Sequence, residues 1–180
     1  MVSPKILAKE GECCVDFFLG IRLPRDFEET CERYRRAFKA PKTVTHITLV
    51  PPFSWDEPKE KLKELLDSTL GKTPSFRVAG SGLGSFGTKV LFVNVDLTPE
   101  LLALHEKATE TLRQAGVVVD TRPYNPHITL ATRLDAKTFA KYKAELGDFS
   151  PEYSFTCSHL SLFHFTPEKR WHEWYRVALK

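Results

Sequence analysis

The tetrapeptide His46-Ile47-Thr48-Leu49 recurs as His127-Ile128-Thr129-Leu130. The chain holds 6 histidines, and the probability that any two of them share the next three residues by chance is roughly 0.003 at average residue frequencies. On a β-strand side chains alternate faces with period two. His46 and Thr48 therefore share one face, with Ile47 and Leu49 on the other, and the second copy repeats the arrangement. Each strand gains an apolar side that anchors it and a polar side that carries an imidazole and a hydroxyl. Histidine titrates near neutral pH, so of two facing imidazoles one can accept a proton while the other donates one. In-line displacement at phosphorus needs that pair: a base beside the nucleophile and an acid beside the leaving oxygen. The hydroxyls of Thr48 and Thr129 can then hydrogen-bond the non-bridging oxygens. Arg133 stands at period-two spacing from His127 through Thr129 and Ala131, so a strand continued that far turns its guanidinium toward the same phosphate.

A lone His-x-Thr on a strand is ordinarily a polar surface pair, and it is the second copy that points to chemistry. Paired histidines also serve metals, but a metal site needs further ligands. The flanking segments TVTHITLVPPF and YNPHITLATR contain no carboxylate or thiol, so no metal is expected. The other histidines carry weaker signals. His105 sits within a helical stretch as a partly exposed residue. His159 and His164 fall at odd separation on one strand and face opposite sides. His172, between Trp171 and Trp174, reads as a packing residue.

The elements that must hold the motifs alternate along the chain. Strands are expected at Cys13 to Leu23, Thr43 to Val50 (stopped by Pro51-Pro52), and Lys89 to Leu97. Further strands are expected at His127 to Ala131, Tyr153 to Phe165 and Trp171 to Leu179. Residues Phe76 to Phe86 read as extended but bent, because Gly80, Gly82, Gly84 and Gly87 interrupt them. No Lys-Ser/Thr follows these glycines and no helix begins there, so they do not form a phosphate cradle. Helices are expected from Asp26 to about Lys39, Lys59 to Leu70, Pro99 to Gln114 and Asp135 to about Leu146. Each half of this order contains one HITL strand placed after a helix, which suggests a duplicated α+β fold with pseudo-twofold symmetry.

The 180 residues suit a single two-lobed domain, 1–180. A hydrophobic share of 42% and a charged share of 27% allow a full core and exclude a disordered chain. The net charge of +3 is too small to announce a general nucleic-acid binder, yet it allows a local basic cleft. Cys13, Cys14, Cys31 and Cys157 form no CxxC pair and read as reduced thiols. With no signal peptide and no apolar run of about 20 residues, no membrane association is expected, and a cytoplasmic protein is.

HITL at 46–49, GLGSFGTKVLFVNV at 82–95 and RPYNPHITLATR at 122–133 together resemble the two-histidine phosphoesterases, and among them the RNA 2′,3′-cyclic phosphodiesterases also called 2′-5′ RNA ligases. The resemblance implies a bilobal α+β fold, with two antiparallel sheets flanking a central cleft and helices outside. It implies no cofactor, and RNA ends or nucleotide cyclic phosphates as substrate, opened to 2′-phosphates; a monomer is expected. It puts His46 and His127 in the catalytic positions, with His127 as base and His46 as acid, and Thr48 and Thr129 in the places of its hydroxyl residues; it departs at the arginine that often directly follows His-x-Thr-Leu-Ala in the family, since Thr132 here precedes Arg133, the substrate contact that the strand spacing suggests. A 2′-5′ ligase or 2′-5′ phosphodiesterase uses the same four motif side chains, and a nucleotide- or RNA-binding module without catalysis is the alternative outside enzymes.

Overall fold

The structure, a computed structural model, describes residues 15–180. Cys13 and Cys14 lie outside the described residues, so of the thiol expectations only Cys31 and Cys157 can be followed: both are free and buried. The strands are β1 (Val15–Arg22), β2 (His46–Trp55), β3 (Phe76–Ser81), β4 (Leu83–Phe86), β5 (Val90–Asn94), β6 (His127–Ala131), β7 (Glu152–Cys157), β8 (His159–Phe165) and β9 (Trp171–Ala178). The helices are α1 (Arg25–Ala37), α2 (Lys59–Thr69), α3 (Pro99–Gln114) and α4 (Ala136–Leu146). The fold is α+β, as expected. A seven-stranded antiparallel sheet runs in the order β4-β5-β6-β2-β1-β8-β9, and β3 pairs with β7 in a small second sheet.

This order displays the duplication. The series β1-α1-β2-α2-β3 repeats as β5-α3-β6-α4-β7. The two motif strands, β2 and β6, meet at the middle of the large sheet, and the two third strands, β3 and β7, pair with each other. The helices are exchanged across the centre, α1 packing on β6 and α3 on β2. Two of the helix starts are built as the sequence suggests. Thr98 Oγ1 accepts from Leu101 N at 3.3 Å, and Asp135 Oδ1 accepts from Thr138 N at 2.8 Å.

Three expectations need correction. The extended stretch Phe76 to Phe86 is two strands in different sheets, because Gly82 turns the chain with φ +71°. The stretch Tyr153 to Phe165 likewise changes sheets between Cys157 and His159. Pro51 and Pro52 do not stop β2. At that point β2 pairs only with β1, through a bulge that sets Leu19 opposite Val50 and Phe17 opposite Phe53. An edge position with a bulge needs no N–H from either proline.

The register of the motif strands is fixed by their apolar sides. Ile47, Leu49, Ile128 and Leu130 are all fully buried. Each buried aliphatic side chain contributes about 1.5–3 kcal/mol, and a one-residue slip would exchange them for His and Thr.

Candidate active site

β2 and β6 are joined by a single pair, Ile47 opposite Ile128. Since the strands are antiparallel, that pair sets His46 beside Thr129 and Thr48 beside His127. The four side chains on the cleft face form a quadrilateral with the imidazoles at opposite corners. Diagonal neighbours on adjacent strands lie roughly 7–8 Å apart. The cleft opens to either side as two grooves, one lined by His46 and Thr129, the other by Thr48 and His127.

Both rings are held in the same way. His46 Nδ1 lies 2.7 Å from the carbonyl of Val44, and His127 Nδ1 lies 2.8 Å from the carbonyl of Asn125. A carbonyl only accepts, so each Nδ1 carries its proton and each Nε2 is the nitrogen available for proton transfer. Aromatic rings flank both. His46 packs against Phe18 at 4.7 Å and Phe163 at 5.7 Å, and His127 against Phe86 at 5.0 Å and Phe92 at 5.1 Å. Burial pushes the pKa of His46 down to about 4. The bond to Val44 opposes this, and the positive charge of Arg35 adds to it. His46 is therefore neutral at pH 7.

Glycines make room for these rings. A Cβ on Gly20 would lie 3.0 Å from the Ile47 carbonyl and 3.5 Å from the His46 ring. One on Gly84 would come within 2.4 Å of Phe92, the ring beside His127. Gly84 thus serves close packing, and the backbone of this segment is engaged: Gly82 donates to the Pro151 carbonyl at 2.8 Å, and Asn94 donates to Gly82 at 3.0 Å.

Arg133 lines the His46 groove, although not by the expected route. β6 ends at Ala131, and Arg133 adopts φ +58°, so the chain and not a period-two strand carries it there. Arg22, which pairs with His46 across β1 and β2, is committed elsewhere. Glu28 binds it through two bonds of 2.6 and 2.7 Å, and Glu173 through a third at 3.0 Å.

Three residues at the site escaped sequence reasoning. Arg35, on α1, is buried and donates to the carbonyls of Thr129 at 2.6 Å, Thr43 at 2.7 Å and Pro41 at 2.8 Å. It ties β6 to the segment leading into His46. On the other side, Tyr124 donates its hydroxyl to the Thr48 carbonyl at 3.0 Å, and His105 Nδ1 donates to the Leu49 carbonyl at 2.7 Å. The rings of His105 and Tyr124 stack at 3.9 Å and within 4° of parallel. His105 is therefore part of the wall of the cleft, not merely a partly exposed helix residue. His172, expected to pack, is exposed. Arg35 stands four residues after the buried Cys31, on the core side of its helix, and that position was the available signal. Among the described residues, no group of three or more His, Cys, Asp or Glu side chains converges.

The duplicated α+β fold has solved counterparts. The structure of E. coli LigT complexed with 3′-AMP superposes with a TM-score of 0.66 at 20% identity, covering 93% of this chain and 99% of that one. TT0787 of Thermus thermophilus gives a TM-score of 0.64 at 18% identity, over 91% of this chain and 97% of that one. These likenesses establish the fold. The model of the 2′-5′ RNA ligase superfamily matches residues 23–167, and the chain belongs to that superfamily. The RNA 2′,3′-cyclic phosphodiesterase of Bacillus subtilis (strain 168) is 28% identical over 141 residues, 74% of this chain and 76% of that protein.

Proposed function

We propose that the protein is a metal-independent phosphodiesterase that opens 2′,3′-cyclic phosphate ends of RNA or nucleotides to 2′-phosphates. The observation that carries this reading is the crossed quartet of His46, Thr48, His127 and Thr129 around the single Ile47–Ile128 pair. Water attacks the phosphorus while Nε2 of His127 takes its proton. The bond from phosphorus to the ribose 3′ oxygen breaks, and Nε2 of His46 gives its proton to that oxygen. Thr48 and Thr129 donate hydrogen bonds to the non-bridging oxygens, and Arg133 offsets their charge. Burial keeps His46 neutral, and it gains its proton with the substrate, because an anion against the ring favours imidazolium.

The test is turnover of 2′,3′-cyclic nucleotides in EDTA. The expected result is undiminished hydrolysis yielding the 2′-phosphate alone. Activity abolished by chelation and restored by a divalent ion, or a 3′-phosphate product, would overturn the proposal. Grooves on both sides of the quartet favour a second reaction at the same site, cleavage of a 2′-5′ phosphodiester, which has a nucleoside on each side of the phosphorus. A 2′-5′ dinucleotide added to the panel separates the two.

A further inference from the structure

We propose that Arg35 governs the charge of His46: its buried guanidinium, set in the seam between β2 and β6 at the floor of the His46 groove, keeps the ring from taking up a second proton until an anion lies above both. The proposal rests on the phosphodiesterase reading and deepens it, by giving the acid step a positioning residue outside the quartet. β2 and β6 share one pair, and α1 packs on β6. Arg35 spans the gap that the two strands leave. Its Nη1 donates to the carbonyl of Thr129, beside His46, and its Nη2 to the carbonyls of Pro41 and Thr43 on the approach to His46. The residue is only 5% exposed, yet it lines the groove together with His46 and Thr129. Carbonyls accept its hydrogen bonds but leave its charge in place. Among the described residues the one carboxylate against it is Glu32, 3.4 Å from Nε, and that Nε makes no hydrogen bond. Glu32 is also shared with the N–H and hydroxyl of Thr45. The guanidinium charge is thus only partly balanced, in surroundings that screen it weakly.

The other charges that face His46 act more weakly. From β1 comes Arg22, clasped by Glu28 of α1 and by Glu173 of β9, which Arg176 also binds. From β6 comes His127, at the diagonal corner of the quartet. Lys42, Arg133, Lys169 and Arg170 line the groove, but all four are exposed and screened by solvent and salt. Toward β1 and β8 the ring meets Phe18 and Phe163, which carry no charge. Of the charges that lower the proton affinity of His46, Arg35 has the largest effect, ahead of His127 and Arg22. A phosphate held above the seam reverses this balance, because it offsets the guanidinium and pairs with an imidazolium. The acid is thus loaded by the substrate and not by the solvent.

The experiment is an NMR titration of the His46 ring, without substrate, in the parent, in Arg35→Met and in Glu32→Gln. Arg35→Met removes the positive charge, and the pKa of His46 is expected to rise by about one pH unit, the low end of the range for a neighbouring charge. Glu32→Gln keeps an oxygen for the N–H and hydroxyl of Thr45 and removes the negative charge that partly balances Arg35. There the pKa of His46 is expected to fall. The opposite signs separate charge from packing. A loosened site admits water and moves the ring up toward its ordinary value in both variants. Upward shifts in both, or no shift in either, would overturn the proposal. If Arg35→Met does not fold, Glu32→Gln decides alone: a downward shift upholds the proposal, and an unchanged or raised value removes it. In an active parent the limb of the kcat/KM profile set by His46 should follow the same shifts. The titration needs no turnover. If no cyclic phosphate is hydrolysed, the phosphodiesterase reading fails, while the hold of Arg35 on His46 is still decided by the ring.

Discussion

Alanine at either His46 or His127 is expected to lower kcat by about 10²–10⁴-fold, the range for a positioned acid or base. The two rings act on one phosphorus in one step, so the double variant should fall little below the weaker single variant. Thr48→Ala and Thr129→Ala should cost less, because each hydroxyl supplies a hydrogen bond and transfers no proton. A substrate with a very good leaving group divides the roles. It needs no acid, so it should restore much of the activity of His46→Ala and little of that of His127→Ala. Rescue of the other variant would reverse the assignment, and full activity in either single variant would remove the mechanism.

Arg35→Leu is expected to destabilise the protein by about 3 kcal/mol and to lower kcat at least about tenfold even where the variant is fully folded. The guanidinium is buried and serves the carbonyls of Pro41, Thr43 and Thr129, and its Nε lies 3.4 Å from Glu32 Oε1. Removing one side of such a set strands the other inside the protein. Glu32 also accepts from the backbone N–H of Thr45 at 2.7 Å and from its hydroxyl, so the pair fixes the residues that precede His46. Because β2 and β6 share only one pair, the distance between the two imidazoles depends on such side-chain ties. Arg35→Lys should recover little, since an ammonium cannot span three carbonyls on a fixed planar fork. Denaturant unfolding, with kcat measured well below the transition, checks both parts. A variant with parental stability and parental kcat would show that Arg35 positions nothing.

The quartet was legible because strand periodicity is local. His-x-Thr on one face and Ile-x-Leu on the other follow from the order of residues alone, as do the helix starts at Thr98 and Asp135. What is not local stayed hidden. The tie from Arg35 to Thr129 joins residues 94 positions apart, and that from Tyr124 to Thr48 joins residues 76 apart. No periodicity reports such pairs. Pro51-Pro52 looked like a strand end because the sequence does not tell which side of a strand lacks a neighbour. Gly82 and Gly84 announced an irregularity, but the reason for Gly84, the ring of Phe92 across the hairpin, belongs to the tertiary structure. Arg133 reached the cleft for a reason other than the one its spacing gave.

The most direct test is a crystal structure of the protein with a nucleoside 2′-monophosphate, the product of the proposed reaction. The central claim is that His46 and His127 address one phosphate from opposite sides. It predicts one phosphate above the Ile47–Ile128 pair, with Nε2 of both rings within about 2.6–3.2 Å of its oxygens. A phosphate held by one imidazole alone, or seated away from the quartet, would contradict it.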